Sequence, residues 1–135
     1  MVVGWQVSML AIIAFCSVMS AAMSVKPGGW HEVDVKDKGL KKALTMAMAE
    51  HDKMSNDPYT RGIMSISRAR MQIVSGVKYD VDVVTGLTTC LKTKLDTDYC
   101  PFQESPELLK RSKCRLSLYY VPWTNTLKIL SKLCQ

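Results

Sequence analysis

Apolar and charged residues alternate strictly between positions 77 and 83, with Val77, Tyr79, Val81 and Val83 separated by Lys78, Asp80 and Asp82. That period of two predicts a strand with one buried face, which we extend to about Leu91. The run before it, Arg61 to Val74, also reads as strand. In it Met64 and Ile66 share one parity while Ala69, Met71 and Ile73 share the other, which predicts a bulge near Ser67-Arg68. The two runs meet at Gln72-Ile73-Val74-Ser75-Gly76, which ends in the residue type that tolerates a positive φ at a reversal. A hairpin tip bathed in water needs no apolar side chains. Ile73 and Val74 suit a tip that inserts into a partner.

A different period precedes the hairpin. Leu40, Ala43, Leu44, Ala47, Met48, His51 and Met54 recur at spacings of three and four, with Lys41, Lys42, Glu50 and Lys53 outside the stripe. This predicts a helix with Asp37 as its N-cap, ended by Ser55-Asn56-Asp57-Pro58 because the residue before a proline is pushed out of helical geometry. Val33 and Val35 predict a short strand over His31 to Val35. Near the C-terminus Leu116, Leu118 and Tyr120 alternate with Arg115, Ser117 and Tyr119. Beyond a break at Pro122-Trp123-Thr124-Asn125, Leu127, Ile129 and Leu133 recur at odd positions. The stretch from Cys90 to Cys114 holds Pro101 and Pro106 and reads as an irregular excursion with a helical turn at Glu107 to Lys110. The expected fold is α+β, one long helix packed on a four- to five-stranded antiparallel sheet.

The two ends change this picture. Met9 to Met23 is almost wholly apolar and small, with no charge before Lys26, the pattern of a secretory signal peptide with cleavage after Ala22 or Ser24. Residues 1–24 are accordingly expected to be removed and 25–135 to form one domain. Cleavage takes Cys16 away and leaves Cys90, Cys100, Cys114 and Cys134, an even number that reads as two disulfides in an exported chain. If the last two strands pair antiparallel about position 124, Cys114 faces Cys134, and Cys90 then pairs with Cys100. Zinc is the competing use of four cysteines, but no C-x-x-C spacing occurs. No Asn-x-Ser/Thr sequon is present.

The formal charge is +6, yet only Lys41-Lys42 and Lys110-Arg111 are adjacent basic pairs, so a dedicated nucleic-acid face is not expected. Enzyme chemistry finds no footing either. His31 and His51 lie in different elements, the second on the apolar helix stripe, and there is no phosphate loop, nucleophile elbow or paired-histidine metal motif. No catalytic residue, cofactor or metal is predicted. Three exposed segments remain: the glycine arm Gly28-Gly29, the tip Gln72 to Gly76, and the turn Pro122-Trp123. In an antiparallel meander, alternate connections fall at the same end of the sheet, so these three should gather on one edge.

The same three segments resemble the cystatins. Gln72-Ile73-Val74-Ser75-Gly76 is similar to their Gln-x-Val-x-Gly loop, Pro122-Trp123 to their second hairpin loop, and Gly28-Gly29 to their N-terminal glycine. With the signal peptide and the four cysteines, the chain looks like a secreted type 2 cystatin. The resemblance implies a reversible, tight-binding inhibitor of papain-like cysteine proteases of the cathepsin type, with arm and loops filling the active-site cleft. It implies an extracellular monomer, with a domain-swapped dimer as the alternative state, and no membrane association once the signal is gone. The family usually has apolar residues before the arm glycine, where this chain has Lys26-Pro27, so the arm is expected to contribute less here.

Ser55-Asn56-Asp57 resembles the segment with which some type 2 cystatins inhibit legumain, an asparagine-specific protease, and implies a second site at Asn56. The bland alternative for that segment is a helix-ending turn. The functional alternative for the whole chain is a cationic secreted host-defence or carrier protein that uses the same fold without inhibiting a protease.

Overall fold

The computed structural model describes residues 29–94 and 99–135. The expected signal segment, Lys26-Pro27 and Gly28 lie outside the described residues. The elements run β1 (Trp30–Glu32), α1 (Lys38–Met54), β2 (Tyr59–Val74), β3 (Gly76–Leu91), α2 (Pro106–Leu109), β4 (Ser112–Val121) and β5 (Thr126–Cys134). The strands form one antiparallel sheet in sequence order, with α1 lying across one face.

α1 starts where Asp37 accepts a hydrogen bond from the Leu40 backbone N–H at 3.0 Å, satisfying one of the helix's orphan donors. Leu40, Ala43, Leu44 and Ala47 are its buried residues. The two alanines let the helix approach the sheet closely, so that the leucines pack on Ala69, Tyr79, Val81, Val83, Leu116, Leu118 and Tyr120. This helix–sheet contact is the core and the main source of stability.

Three of the sequence expectations shift in detail. β1 is Trp30–Glu32 rather than His31 to Val35: Val35 sits in a turn, where the Asp34 carboxylate accepts from the Lys36 N–H at 2.9 Å. Met54 ends the helix stripe with 85% of its surface exposed, because the last turn of α1 has left the sheet. Leu133 is 69% exposed. The pairing passes from Ser117↔Ser131 to Leu118↔Ile129, so Leu130 is an extra residue in β5. One extra residue reverses the alternation, so Leu127 and Ile129 pack inward while Leu133 falls on the outer face.

The bulge expected near Ser67 is present, as the register shift between Ile66 and Arg68. A second lies between Ile63 and Ser65 and turns Met64 outward. Cys90 is bonded to Cys100 and Cys114 to Cys134, as the register argument expected. Closing the 20-residue loop between Cys114 and Cys134 stabilises the chain by about 3 kcal/mol through loss of unfolded-state entropy.

Candidate protease-binding edge

Register brings the three candidate segments to one end of the sheet. Trp30 pairs with Gln72, which sets Gly29 beside the β2–β3 tip. Val77 pairs with Tyr120, which sets the β4–β5 turn on the other side of that tip. Ser75 is the apex, between the paired Val74 and Gly76. Gly76 has φ +129°, a conformation that L side chains rarely adopt, so a glycine is needed there. Ile73 is 60% exposed, Val74 is exposed beside it, and Trp123 is 71% exposed. Gln72 is half-buried between Trp30 and Lys78 in the ladder.

Two neighbouring tyrosines brace this edge from opposite faces of β4. Tyr119 points outward and donates its hydroxyl to the Ser75 carbonyl, with its ring against Gly76; a Cβ there would come within 3.0 Å of it. Tyr120 points into the core and donates to Asn125 Oδ1 at 3.3 Å. Asn125 adopts φ +49° and its N–H closes on the Pro122 carbonyl at 3.3 Å, while Thr126 Oγ1 bonds Thr124 Oγ1 at 2.9 Å. Each tip thus has its own phenol. The alternation of β4 marked Tyr120 as inward and Tyr119 as outward, but no sequence pattern says that an outward phenol reaches a carbonyl on the neighbouring hairpin.

The apex carries no charge. Among the described residues no cluster of three or more His, Cys, Asp or Glu could hold a metal. His31 on β1 and His51 on α1 do not come together: His31 lies on one edge strand, paired with Met71, whereas His51 contacts Lys132 on β5, the opposite edge strand. The exposed apolar side chains of this edge can fill a cleft.

At the far end, Ser55, Asn56 and Asp57 form a braced turn. Ser55 caps α1, its N–H bonding to the His51 carbonyl at 3.0 Å, and its Oγ accepts from the Asp57 N–H at 3.1 Å. Lys92 Nζ donates to the Ser55 carbonyl and Lys110 Nζ to Asp57 Oδ1, both at 2.8 Å. The Lys110 hydrogen bond and charge hold the Asp57 carboxyl below its ordinary range. Asn56 stands exposed at the apex of this turn.

Behind the turn, burial and then the charges of Lys132 and Arg61 hold the His51 imidazole below its ordinary value, against an opposing pull from Asp52. The unfolded chain therefore takes up a proton near pH 6.5 that the folded chain resists. The contribution of neutral His51 to stability is present above about pH 6.5 and is lost as pH falls toward the depressed folded-state value. Thermal midpoints measured from about pH 7.5 down to pH 5 should fall more for the natural chain than for His51→Gln, and parallel curves would refute the assignment.

Known proteins share this architecture. A sequence model described as the Cystatin domain matches residues 28–123. Cystatin-C of Macaca mulatta is 39% identical over 134 residues, covering 94% of this chain and 92% of that one. Cystatin of Gallus gallus is 42% identical over 103 residues, covering 76% and 74%. Among solved structures, dimeric human cystatin F superposes with a TM-score of 0.73 at 30% identity, over 89% of this chain and 95% of that one. A sheet in sequence order, a helix across it and similarity along most of the chain lead to one assignment: the chain belongs to the cystatin family, whose members are inhibitors of cysteine proteases and not enzymes.

Proposed function

We propose that the chain is a secreted, reversible inhibitor of papain-like cysteine proteases of the cathepsin type, and that it blocks the active-site cleft with a three-part wedge. The parts are the arm at Gly28 and Gly29, the tip Gln72, Ile73, Val74, Ser75 and Gly76, and the turn Pro122-Trp123. The observation that carries this reading is the gathering of Gly29, Ile73, Val74 and Trp123 on one braced, uncharged edge. An aromatic anchor on a fixed turn loses little entropy on binding, and a wedge that presents no productively placed peptide bond is not consumed. Two disulfides fit an oxidising compartment, in line with removal of residues 1–24 on export. The inhibitor acts as a monomer on this reading, with the domain-swapped dimer as the alternative state.

The test is titration of active papain with the mature chain. We expect a stoichiometric loss of activity that returns on dilution. Undiminished papain activity at saturating inhibitor would favour the host-defence or carrier alternative.

A second site is favoured by the braced turn at the far end, where Lys92 holds the Ser55 carbonyl, Lys110 holds the Asp57 carboxylate, and Asn56 is left exposed between them. We propose that Asn56 enters the specificity pocket of legumain. Asn56→Ala should abolish legumain inhibition and leave papain inhibition unchanged. Parallel loss of both would mean that the sites overlap or that the fold had failed.

A further inference from the structure

Two registered residues behind the tip, one row of outward-facing side chains crosses all five strands. Trp30 pairs with Gln72, Gln72 with Lys78, Lys78 with Tyr119, and Tyr119 with Lys128. Directly paired residues share a face, so these five form a belt across the outer side of the sheet, about 7 Å behind Gly76 at the usual strand rise. Tyr119 is already engaged with the tip and Trp30 lies over the Arg70 guanidinium, 5.3 Å from it. What the belt adds is charge. Lys78 and Lys128 flank Tyr119 about 10 Å apart, two strand spacings. Among the described residues neither has an ion-pair partner.

The carboxylates that could neutralise them are otherwise committed. Asp80 is held by Arg70 at 2.8 Å and Asp82 by Arg115 at 2.9 Å. Glu32 lies one row further back, across from Arg70. The apex itself is uncharged, and along the ladder the belt supplies the positive charge nearest to it among the described residues, added to the field of a chain whose formal net charge is +6. Two like charges on flexible stems beside an apolar apex repel each other slightly in the free protein and gain only when an opposite charge closes on them.

Resting on the inhibitor reading above, we propose that Lys78 and Lys128 are an electrostatic guide that selects papain-like proteases whose active-site cleft is rimmed by carboxylates. Apolar contacts of Ile73, Val74 and Trp123 hold the complex once formed. The two lysines set how fast it forms and with which enzyme.

Association and dissociation rates should be measured against two active-site-titrated papain-like proteases, one of acidic and one of basic isoelectric point, in low and high salt. The natural chain should associate faster with the acidic enzyme, and the difference should vanish near 1 M salt, where screening acts within about 3 Å. Lys78→Glu with Lys128→Glu should slow association with the acidic enzyme about tenfold near 0.01 M salt, with dissociation changed less than about twofold. Lys78→Gln with Lys128→Gln, which disturbs folding less, should give an intermediate loss of about threefold. Unchanged association at low salt, or an equal loss at both salt concentrations, overturns the guide. If the natural chain already inhibits neither enzyme, the inhibitor reading has failed and the guide falls with it, a result seen before any substitution is made.

Discussion

Trp123→Ala should weaken papain inhibition by tens- to hundreds-fold, about 2–4 kcal/mol, the range found when a buried aromatic anchor is truncated at an interface. The ring is 71% exposed in the free protein, so its removal takes nothing from the core and the thermal midpoint should stay nearly fixed. The loss should appear mainly as faster dissociation, because the anchor acts after the partners have met. The comparison that gives this meaning is deletion of Val25 to Pro27. A lysine at 26 would have to desolvate its ammonium in an apolar subsite, and Pro27 removes a backbone donor, so the arm is expected to contribute less than the turn. Measured against the same protease, the deletion should do less harm than Trp123→Ala. A larger effect of the deletion would make the arm the dominant contact and refute this order.

That expectation stands on residues legible in the sequence, because turn formers surround the tryptophan and no periodic run includes it. The same holds for the helix: Asp37 before a stripe at three-and-four spacing and Pro58 after it leave little freedom in its ends. The disulfide partners followed from one assumption about pairing. What escaped was the count of residues between inward positions. Ile63, Ile66, Ala69 and Met71 face the helix at intervals of three, three and two, because β2 carries two bulges. The bulge at Ser67 was visible as a parity switch between apolar residues, and Ser67 Oγ bonds the Asp82 carbonyl beside it. The bulge at Met64 was invisible because methionine is apolar whichever way it points. Leu133 misled for the same reason. An exposed leucine costs little, so composition carries no record of its exposure.

The braces of the site were illegible for a different reason. Tyr119 and Tyr120 are adjacent, and each secures one hairpin through a hydrogen bond, Tyr120 to Asn125 in its own turn and Tyr119 to Ser75 on the neighbouring hairpin. For Tyr119 the partner is 44 positions away. Alternation assigns each ring a face, but only the assembled sheet shows what stands within reach. The β2–β3 apex could be read from sequence because its chemistry is local; its rigidity could not, because the Tyr119 bond that fixes it comes from across the sheet.

Gly76→Ala tests that rigidity. Two costs meet at this position. A φ of +129° strains any L residue, by about 1–3 kcal/mol. The new Cβ would also lie 3.0 Å from two Tyr119 atoms, and that ring is pinned by its bond to Ser75. The tip must therefore move, the thermal midpoint should fall by about 4–8 °C for each kcal/mol lost, and papain inhibition should weaken at least about tenfold as Ile73 and Val74 leave their places. The two costs can be separated in a double-mutant cycle with Tyr119→Leu. A 3.0 Å contact is relieved by a shift of a few tenths of an ångström, whereas the backbone strain follows the alanine wherever the ring goes. Gly76→Ala should accordingly keep most of its penalty in the Tyr119→Leu background. Near-complete rescue there would show that the ring, rather than the backbone, makes glycine necessary at this turn.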